Sequence, residues 1–166
     1  MRKDDRHHLR GDWDRLTANR YRAYTFGVLS NEQIARRYYD LFNARRFDEA
    51  EMLVSTHTVF RYPHSKDHLI GRAGYRELVR LWMLAFPDAK AEVRSITRVS
   101  DQIVEADLVG RGTHLGPLLF GGLLSLPATG TFAEFLFKHR LTFDQQQITE
   151  SVIRFDMEEM LRRLGG

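Results

Sequence analysis

The chain has 166 residues, of which 43% are hydrophobic and 28% charged, a composition typical of one folded domain rather than of a disordered chain. No apolar stretch approaches the roughly 20 residues that cross a bilayer, and the absence of cysteine excludes disulfides and thiolate metal sites. We therefore expect a cytoplasmic protein with no membrane partner.

The positive net charge of +3 is concentrated at the start of the chain. Residues 1–22 contain seven Lys or Arg and four Asp, whereas residues 23–166 contain 18 of each sign. A nucleic-acid-binding domain carries its basic residues over the folded body, so no nucleic-acid partner is expected. We predict an N-terminal extension over residues 1–29, partly docked through aromatic residues such as Trp13, and a single domain over residues 30–166.

Three helices are predicted in the first half of this domain. Ser30 and Gln33 match a capping box, and an apolar stripe with helical spacing follows them. A short second helix is predicted at about residues 47–55, and a third helix ends before Pro87. Residues 58–63 predict a brief strand between these two helices.

After Ala89 apolar and polar residues alternate with a period of two, which predicts an antiparallel meander. The predicted strands cover residues 93–99, 103–114, 131–143 and 148–155. Residues 115–130 are predicted as a loop, and its apolar part, 115–126, is interpreted as a lid over a cavity or as a dimer contact. Helices followed by a meander indicate an α+β fold in which helices cover one face of a sheet.

Two histidines, His114 and His139, lie on the apolar sets of their alternating segments. Because alternate residues of a strand share a face, we predict that both imidazoles point into one hydrophobic cavity. Histidine titrates near neutrality and an apolar wall shifts its pKa, so the pair suits acid–base chemistry. The alternative is two core histidines bonded to backbone groups. The predicted walls of the cavity are Trp82, Leu108, Phe135, Phe137 and Tyr62.

Two further residues have competing interpretations. Tyr62 is a candidate hydrogen-bond donor to an enolate oxygen, or a half-buried aromatic residue with a solvated hydroxyl. Asp156 is a candidate base or substrate-binding group, but Asp156 followed by Glu159 also matches the N-cap of a C-terminal helix. Glu150 and Arg154 share one face of the last strand, which we expect to face solvent.

A metal site is not expected. His64 and His68 have the spacing of a ligand pair on a helix, but Pro63 and the loop that follows it disfavour a helix at this point.

Several segments, taken in order, resemble one protein family over residues 31–165. They are Tyr38…Leu41-Phe42-Asn43, Gly71-Arg72-Ala73-Gly74, Ala85-Phe86-Pro87-Asp88, Gly112-Thr113-His114-Leu115-Gly116-Pro117, Pro127-Ala128-Thr129-Gly130 and Ile148…Asp156…Leu161-Arg162-Arg163-Leu164-Gly165. This order is similar to that of the SnoaL-like polyketide cyclases of the nuclear-transport-factor-2-like superfamily. The resemblance implies a cone of three N-terminal helices packed on a curved antiparallel sheet.

The resemblance also implies a function, with two departures. His139 matches the histidine that lines the cyclase pocket, and His114 matches a histidine of the family's glycine-rich turn. The family's catalytic aspartate corresponds to Ile153, and its pocket asparagine corresponds to Tyr62. We therefore expect a cofactor-independent enzyme of cyclase or isomerase type, acting on a hydrophobic, polyketide-like carbonyl compound, with His139 as acid or base assisted by His114. The alternative is a non-catalytic protein that binds a hydrophobic ligand. A homodimer is expected, because the open sheet face and the apolar segment 115–126 need cover.

Overall fold

The computed structural model describes residues 28–63, 68–120 and 124–165. The predicted docking of the extension falls mainly on residues 1–27, which lie outside the described residues, as does His64 of the pair His64 and His68. Within the described part, no cluster of three or more His, Cys, Asp or Glu side chains is placed to hold a metal ion.

Four helices lie in the described residues, three of them before the long strands. They are α1 (Asn31–Asn43), α2 (Phe47–Glu51), α3 (Gly71–Ala85) and α4 (Met157–Leu164). The predicted capping box begins α1: the Gln33 amide donates to Ser30 Oγ at 3.2 Å, and the Ser30 amide donates to Gln33 Oε1 at 2.9 Å. None of the described helices is both long and apolar enough to cross a membrane.

Six strands form one sheet in the order β2-β1-β8-β7-β4-β3. They are β1 (Val54–Arg61), β2 (Leu69–Ile70), β3 (Lys90–Arg98), β4 (Ile103–Thr113), β7 (Phe132–Asp144) and β8 (Gln147–Arg154). The predicted antiparallel meander is confirmed by the pairs β3–β4, β4–β7 and β7–β8. One neighbouring pair differs, because β1 runs parallel to β8. The fold is α+β, with helices covering the inner face of a curved sheet.

Two boundaries differ from the predictions made from the sequence. The second helix ends at Glu51 rather than near residue 55, and β1 begins at Val54 rather than at residue 58. Pairing with β8 extends this strand, since Val54 lies opposite Ile148 and the Thr58 hydroxyl donates to the Ile148 carbonyl at 2.5 Å. Tertiary pairing therefore overrides the local helical pattern.

The apolar segment predicted as a loop contains a two-stranded hairpin, β5 (Leu118–Phe120) and β6 (Leu124–Leu126). Alternation of apolar residues was too short there to separate a hairpin from a loop. Leu118 is buried in the same apolar cluster as Ala85 and Phe86, and its strand contacts the helix α3. One strand of the segment thus packs on the protein, while Leu115 just before it is exposed.

Two adjoining clusters form the core on the inner face of the sheet. The larger one packs α1 and α3 against the centre of the sheet. The smaller one packs α4 and the end of α3 against the beginning of β7. Trp82 and Phe137 contact both clusters, and the cavity described next lies beside these two residues.

Candidate functional site

A mainly apolar cavity lies between the helices α1 and α3 and the inner face of the sheet. It encloses about 850 Å³, including the part that is open to solvent at its mouth. The centres of water-sized molecules can occupy about 120 Å³ of this space. Seven of its lining residues are aromatic: Tyr38, Tyr39, Phe42, Trp82, Phe86, Phe135 and Phe137.

The aromatic rings around the cavity pack against one another edge to face or at a shallow angle. Trp82 is perpendicular to Phe137, with ring centroids 5.8 Å apart, and it lies 6.1 Å from Phe86 at a shallow angle of 34°. Phe137 also covers Gly110, where a Cβ atom would lie 2.5 Å from the Phe137 ring. The glycine therefore lets the ring lie against the backbone of β4, which leaves space in the cavity.

His139 is the main polar group deep in this cavity. It lines the cavity from β7 but is only 3% exposed. Its Nδ1 lies 3.0 Å from Tyr39 Oη, and its Nε2 lies 2.7 Å from Ser151 Oγ. Tyr39 comes from α1 and also lines the cavity, whereas Ser151 comes from β8 and is buried outside the lining. Two elements, α1 and β8, therefore hold the imidazole of β7 by its two nitrogens.

Burial determines the ionisation of this chain of side chains. Burial lowers the pKa of His139 to about 3, so the imidazole is neutral at physiological pH. Burial also raises the pKa of Tyr39 above its ordinary value, so this phenol keeps its proton. The pKa of Tyr38 is raised by burial and by the neighbouring Tyr75 and Tyr39. The deep end of the cavity is consequently uncharged but rich in hydroxyl groups.

The mouth of the cavity carries two cations, and both have partners. Arg111 forms ion pairs with Glu92 and, at 3.3 Å, with Glu134. The ammonium group of Lys90 donates to the carbonyl of Asn43 at the end of α1. No Asp or Glu of the described residues lines the cavity. The geometry therefore suits a neutral, largely apolar ligand with a polar group at the Tyr39 end.

Four of the predicted wall residues, Trp82, Leu108, Phe135 and Phe137, line this cavity. Whether they bind a substrate remains a prediction. The positions of Leu108, Phe135 and Phe137 follow from the alternation in β4 and β7, since Leu108 lies directly opposite Phe137 in the register of the two strands. Trp82 comes from α3.

His114 is not among the residues that line the cavity, so the structure does not bring His114 and His139 together in this cavity. Both residues lie on the inner face, but His114 is beyond the end of β4 and is covered by Phe86, whose ring centroid is 5.3 Å away. Its Nδ1 is 3.1 Å from Thr129 Oγ1, and its amide donates to the carbonyl of Thr131 at 2.9 Å. Burial lowers the pKa of His114, and the Gly116 backbone acts in the opposite direction. The residue anchors the connection to β7.

Tyr62 and Asp156 are also outside the lining of the cavity. Tyr62 follows β1, three strands away from β4, and packs half-buried against the larger core cluster. Asp156 is exposed and caps α4, because its Oδ1 accepts the amide of Glu159 at 2.9 Å. Glu150 pairs with Arg61 at 3.0 Å on the other face of β8, and Arg154 is exposed as expected.

Sequence reasoning missed two members of the hydrogen-bonded chain. Tyr39 follows Tyr38 directly, and only Tyr38 belongs to the apolar stripe used to predict the helix. Ser151 is a polar residue on the face of β8 that also carries Ile153 and Phe155. One polar residue on an otherwise apolar face was the feature of the sequence that could have identified Ser151 as a buried hydrogen-bond partner.

Comparison with known proteins identifies the family. Residues 32–164 match the SnoaL-like polyketide cyclase family. The chain belongs to this family. No match was found among curated proteins.

Solved structures show the same fold as this SnoaL-like protein. A SnoaL-like protein from Jannaschia sp. CCS1 is 17% identical, with a TM-score of 0.70 over 82% of this chain and 92% of that one. IdmH from Streptomyces antibioticus is 25% identical, with a TM-score of 0.64 over 80% and 96%. An NTF2-like protein of unknown function from Burkholderia pseudomallei K96243 is 14% identical, with a TM-score of 0.68 over 84% and 100%.

Proposed function

We propose that this SnoaL-like protein is a cofactor-independent enzyme that activates a hydrophobic carbonyl compound in the aromatic cavity. The observation that carries the proposal is the chain Tyr39–His139–Ser151, in which a tyrosine of the cavity lining is hydrogen-bonded through its hydroxyl to a buried neutral imidazole. His114, first expected to assist His139, has no part in it, and Tyr39 replaces Tyr62 as the donor.

In this proposal Tyr39 acts as the hydrogen-bond donor that polarises the carbonyl group of the substrate. A neutral imidazole that donates from Nδ1 to Tyr39 Oη leaves the Tyr39 proton free for a carbonyl oxygen. Negative charge that develops on this oxygen is stabilised by a fixed donor in an apolar, low-dielectric site. His139 acts through Tyr39 in this proposal, because both of its nitrogens already have protein partners.

The nucleophile is supplied by the substrate itself, so the reaction needs no basic side chain. The enol carbon of a polyketide-like dicarbonyl attacks the carbonyl held by Tyr39, and one carbon–carbon bond forms. The π electron pair of that carbonyl moves to its oxygen, which takes up a proton, while the enol hydroxyl loses a proton and becomes a carbonyl. Atoms and charges balance without a cofactor or co-reactant. Polarising a simple ketone in the same way accelerates exchange of its α-protons with solvent.

This exchange provides the test. We expect the protein to accelerate deuterium incorporation into 2-tetralone in D₂O, followed by proton NMR, in proportion to the concentration of buffer base. Tyr39→Phe should reduce the acceleration about 100-fold, the usual effect of removing one oxyanion donor. Tyr75→Phe is the matched control, since Tyr75 is a buried tyrosine outside the cavity lining. Equal rates with and without protein for a ketone that binds would contradict the proposal.

A second function, binding of a hydrophobic ligand without catalysis, is favoured by two observations. Ile153 lines the cavity where the resemblance places the cyclases' catalytic aspartate. The low pKa of His139, about 3, makes this imidazole a weak proton acceptor. Tight binding of 2-tetralone without accelerated exchange would support this second function.

A further inference from the structure

The chain Tyr39–His139–Ser151 has one end at the cavity wall and the other inside the protein. Tyr39 lines the cavity, while Ser151 is 1% exposed and lies outside the lining. The imidazole between them is bonded at both nitrogens, at 3.0 Å and 2.7 Å. Of the two hydroxyl groups, that of Tyr39 belongs to a residue of the cavity lining, so we take Tyr39 Oη as the atom of this chain that would bind a ligand.

The hydrogen bonds in this chain can run in either direction. A neutral imidazole has one donor and one acceptor nitrogen, and a hydroxyl group can act as donor or acceptor. If Ser151 donates to Nε2, then Nδ1 donates to Tyr39, and Tyr39 donates to the ligand. If Nε2 donates to Ser151, then Tyr39 donates to Nδ1, and its oxygen accepts a hydrogen bond from the ligand.

We propose that Tyr39, His139 and Ser151 form a reversible hydrogen-bond relay through which the cavity holds a flat, neutral aromatic ligand by one polar atom, whether that atom accepts or donates. The proposal rests on the carbonyl-binding site proposed above but not on catalysis there. It adds that the keto and the enol or hydroxyl form of one ligand are held at the same place, since only the direction of the relay changes.

The surroundings favour this class of ligand over a charged one. Both cations at the mouth are already partnered, Arg111 by two carboxylates and Lys90 by a helix carbonyl. The described lining contains no carboxylate that could bind a cation. The aromatic rings of the walls offer large flat surfaces, and such rings bind one another edge to face or stacked with an offset.

Three tricyclic compounds of nearly the same shape test the relay. Fluorene offers no polar atom at position 9, fluorenone offers an acceptor there, and carbazole offers a donor. Dissociation constants are measured by isothermal titration calorimetry. We expect fluorenone and carbazole each to bind about three- to tenfold tighter than fluorene, the range for one net hydrogen bond. Equal affinity of all three compounds would overturn the proposal.

Ser151→Ala tests the direction of the relay. Without Ser151, an unpaired Nε2–H costs more than an unpaired lone pair, so the imidazole keeps its proton on Nδ1. Tyr39 then donates to the ligand and no longer accepts. We expect the preference for fluorenone over fluorene to remain and the preference for carbazole to disappear. Ser151→Cys, which retains the volume and a weak bond, should change in the same direction by less.

Further variants show whether the ligand preferences depend on the relay residues. Ser55→Ala removes another buried serine that is bonded to a histidine, 2.8 Å from His57 Nδ1, but outside the cavity. It should leave both preferences intact, as should Tyr75→Phe. Tyr39→Phe should remove both preferences. If Tyr38→Phe removes them and Tyr39→Phe does not, or if Ser151→Ala affects both ligands equally, the relay is refuted.

These binding results separate the relay from the proposed catalysis. Ligand preferences that follow this pattern, with no accelerated α-proton exchange, would support the relay and refute the catalytic proposal. Accelerated exchange without the ligand preferences would support the catalytic proposal and refute the relay.

Discussion

Ile153 lies directly opposite His139 on the neighbouring antiparallel strand, and both side chains line the same cavity. Replacing Ile153 by Asp would place a carboxylate beside the neutral imidazole, and an opposite charge raises the pKa of histidine. It would also supply the general base that the described lining lacks. We expect Ile153→Asp to accelerate α-proton exchange of 2-tetralone by about 10²- to 10⁴-fold.

The control for this substitution is Ile153→Asn, which has the same shape and polarity but no basic carboxylate. Both variants should have a lower free energy of unfolding than the original protein, because a polar group replaces a hydrophobic one. If Asp is no faster than Asn in the exchange experiment, then the cavity does not position a base at residue 153 for proton removal.

The depressed pKa of His139 predicts acid sensitivity. In the folded protein it titrates near pH 3, whereas an exposed histidine of the unfolded chain titrates near pH 6.5. The stabilisation is therefore fully present above pH 6.5 and is lost as the pH falls toward 3, by about 1.4 kcal/mol for each pH unit in that window. Urea unfolding at pH 7 and 4.5 should show a loss of about 2 to 3 kcal/mol from this residue.

His139→Phe removes this titration and is the comparison for the unfolding series. The groups that face the imidazole are the hydroxyls of Tyr39 and Ser151 and the ring of Tyr38, none of which titrates in this range. As the pH falls, the unfolding free energy of the original protein should therefore fall relative to that of His139→Phe. An unchanged difference from pH 7 to pH 4.5 would mean that His139 is not buried as a neutral group.

Gly110→Ala should fill part of the cavity. The new methyl group would lie 2.5 Å from the Phe137 ring, so the ring must move away from β4. Overpacking of this kind costs about 1 to 3 kcal/mol of stability. We expect weaker binding of fluorene, and the double variant Gly110→Ala with Phe137→Leu should restore both binding and stability. Unchanged fluorene affinity in the single variant would show that the ring does not bound the ligand site.

A homodimer stays a prediction, and the outer face of the sheet offers a test. Leu136 is 76% exposed and Phe132 is 59% exposed on the outer side of β7, while the neighbouring Val109 is buried. We expect a dimer of two identical chains packed through this face, and Leu136→Glu should shift it to monomer in sedimentation experiments. A matched substitution of an exposed residue elsewhere, Met52→Glu, should not change the mass. A monomeric original protein would contradict this prediction.

Much of the fold could be predicted because its signals are local. Ser30 and Gln33 marked the start of α1, and the alternation in β4 and β7 placed Leu108, Phe135 and His139 on the inner face. The same alternation could not reveal that His114 lies beyond the edge of the cavity. Periodicity determines the face of a residue but not its position along the sheet.

The partners of His139 required the folded structure. Tyr39 and Ser151 are respectively 100 residues before and 12 residues after His139 in the chain. No local pattern connects a tyrosine at the edge of a helical stripe with a serine in the last strand. The parallel pairing of β1 with β8 was missed for the same reason, since it joins residues about 90 positions apart.

This parallel pair has a consequence for the order in which the protein is assembled during synthesis. Val54 and Phe60 meet their partners Ile148 and Ser151 only after nearly the whole domain has left the ribosome. Contacts so distant in sequence form slowly, because a long loop must close before they contribute any stability. Until then one edge of β1 has no strand beside it, and Ser151 is not yet held against His139. We therefore expect the β1–β8 pairing to be completed late, after β8 has left the ribosome.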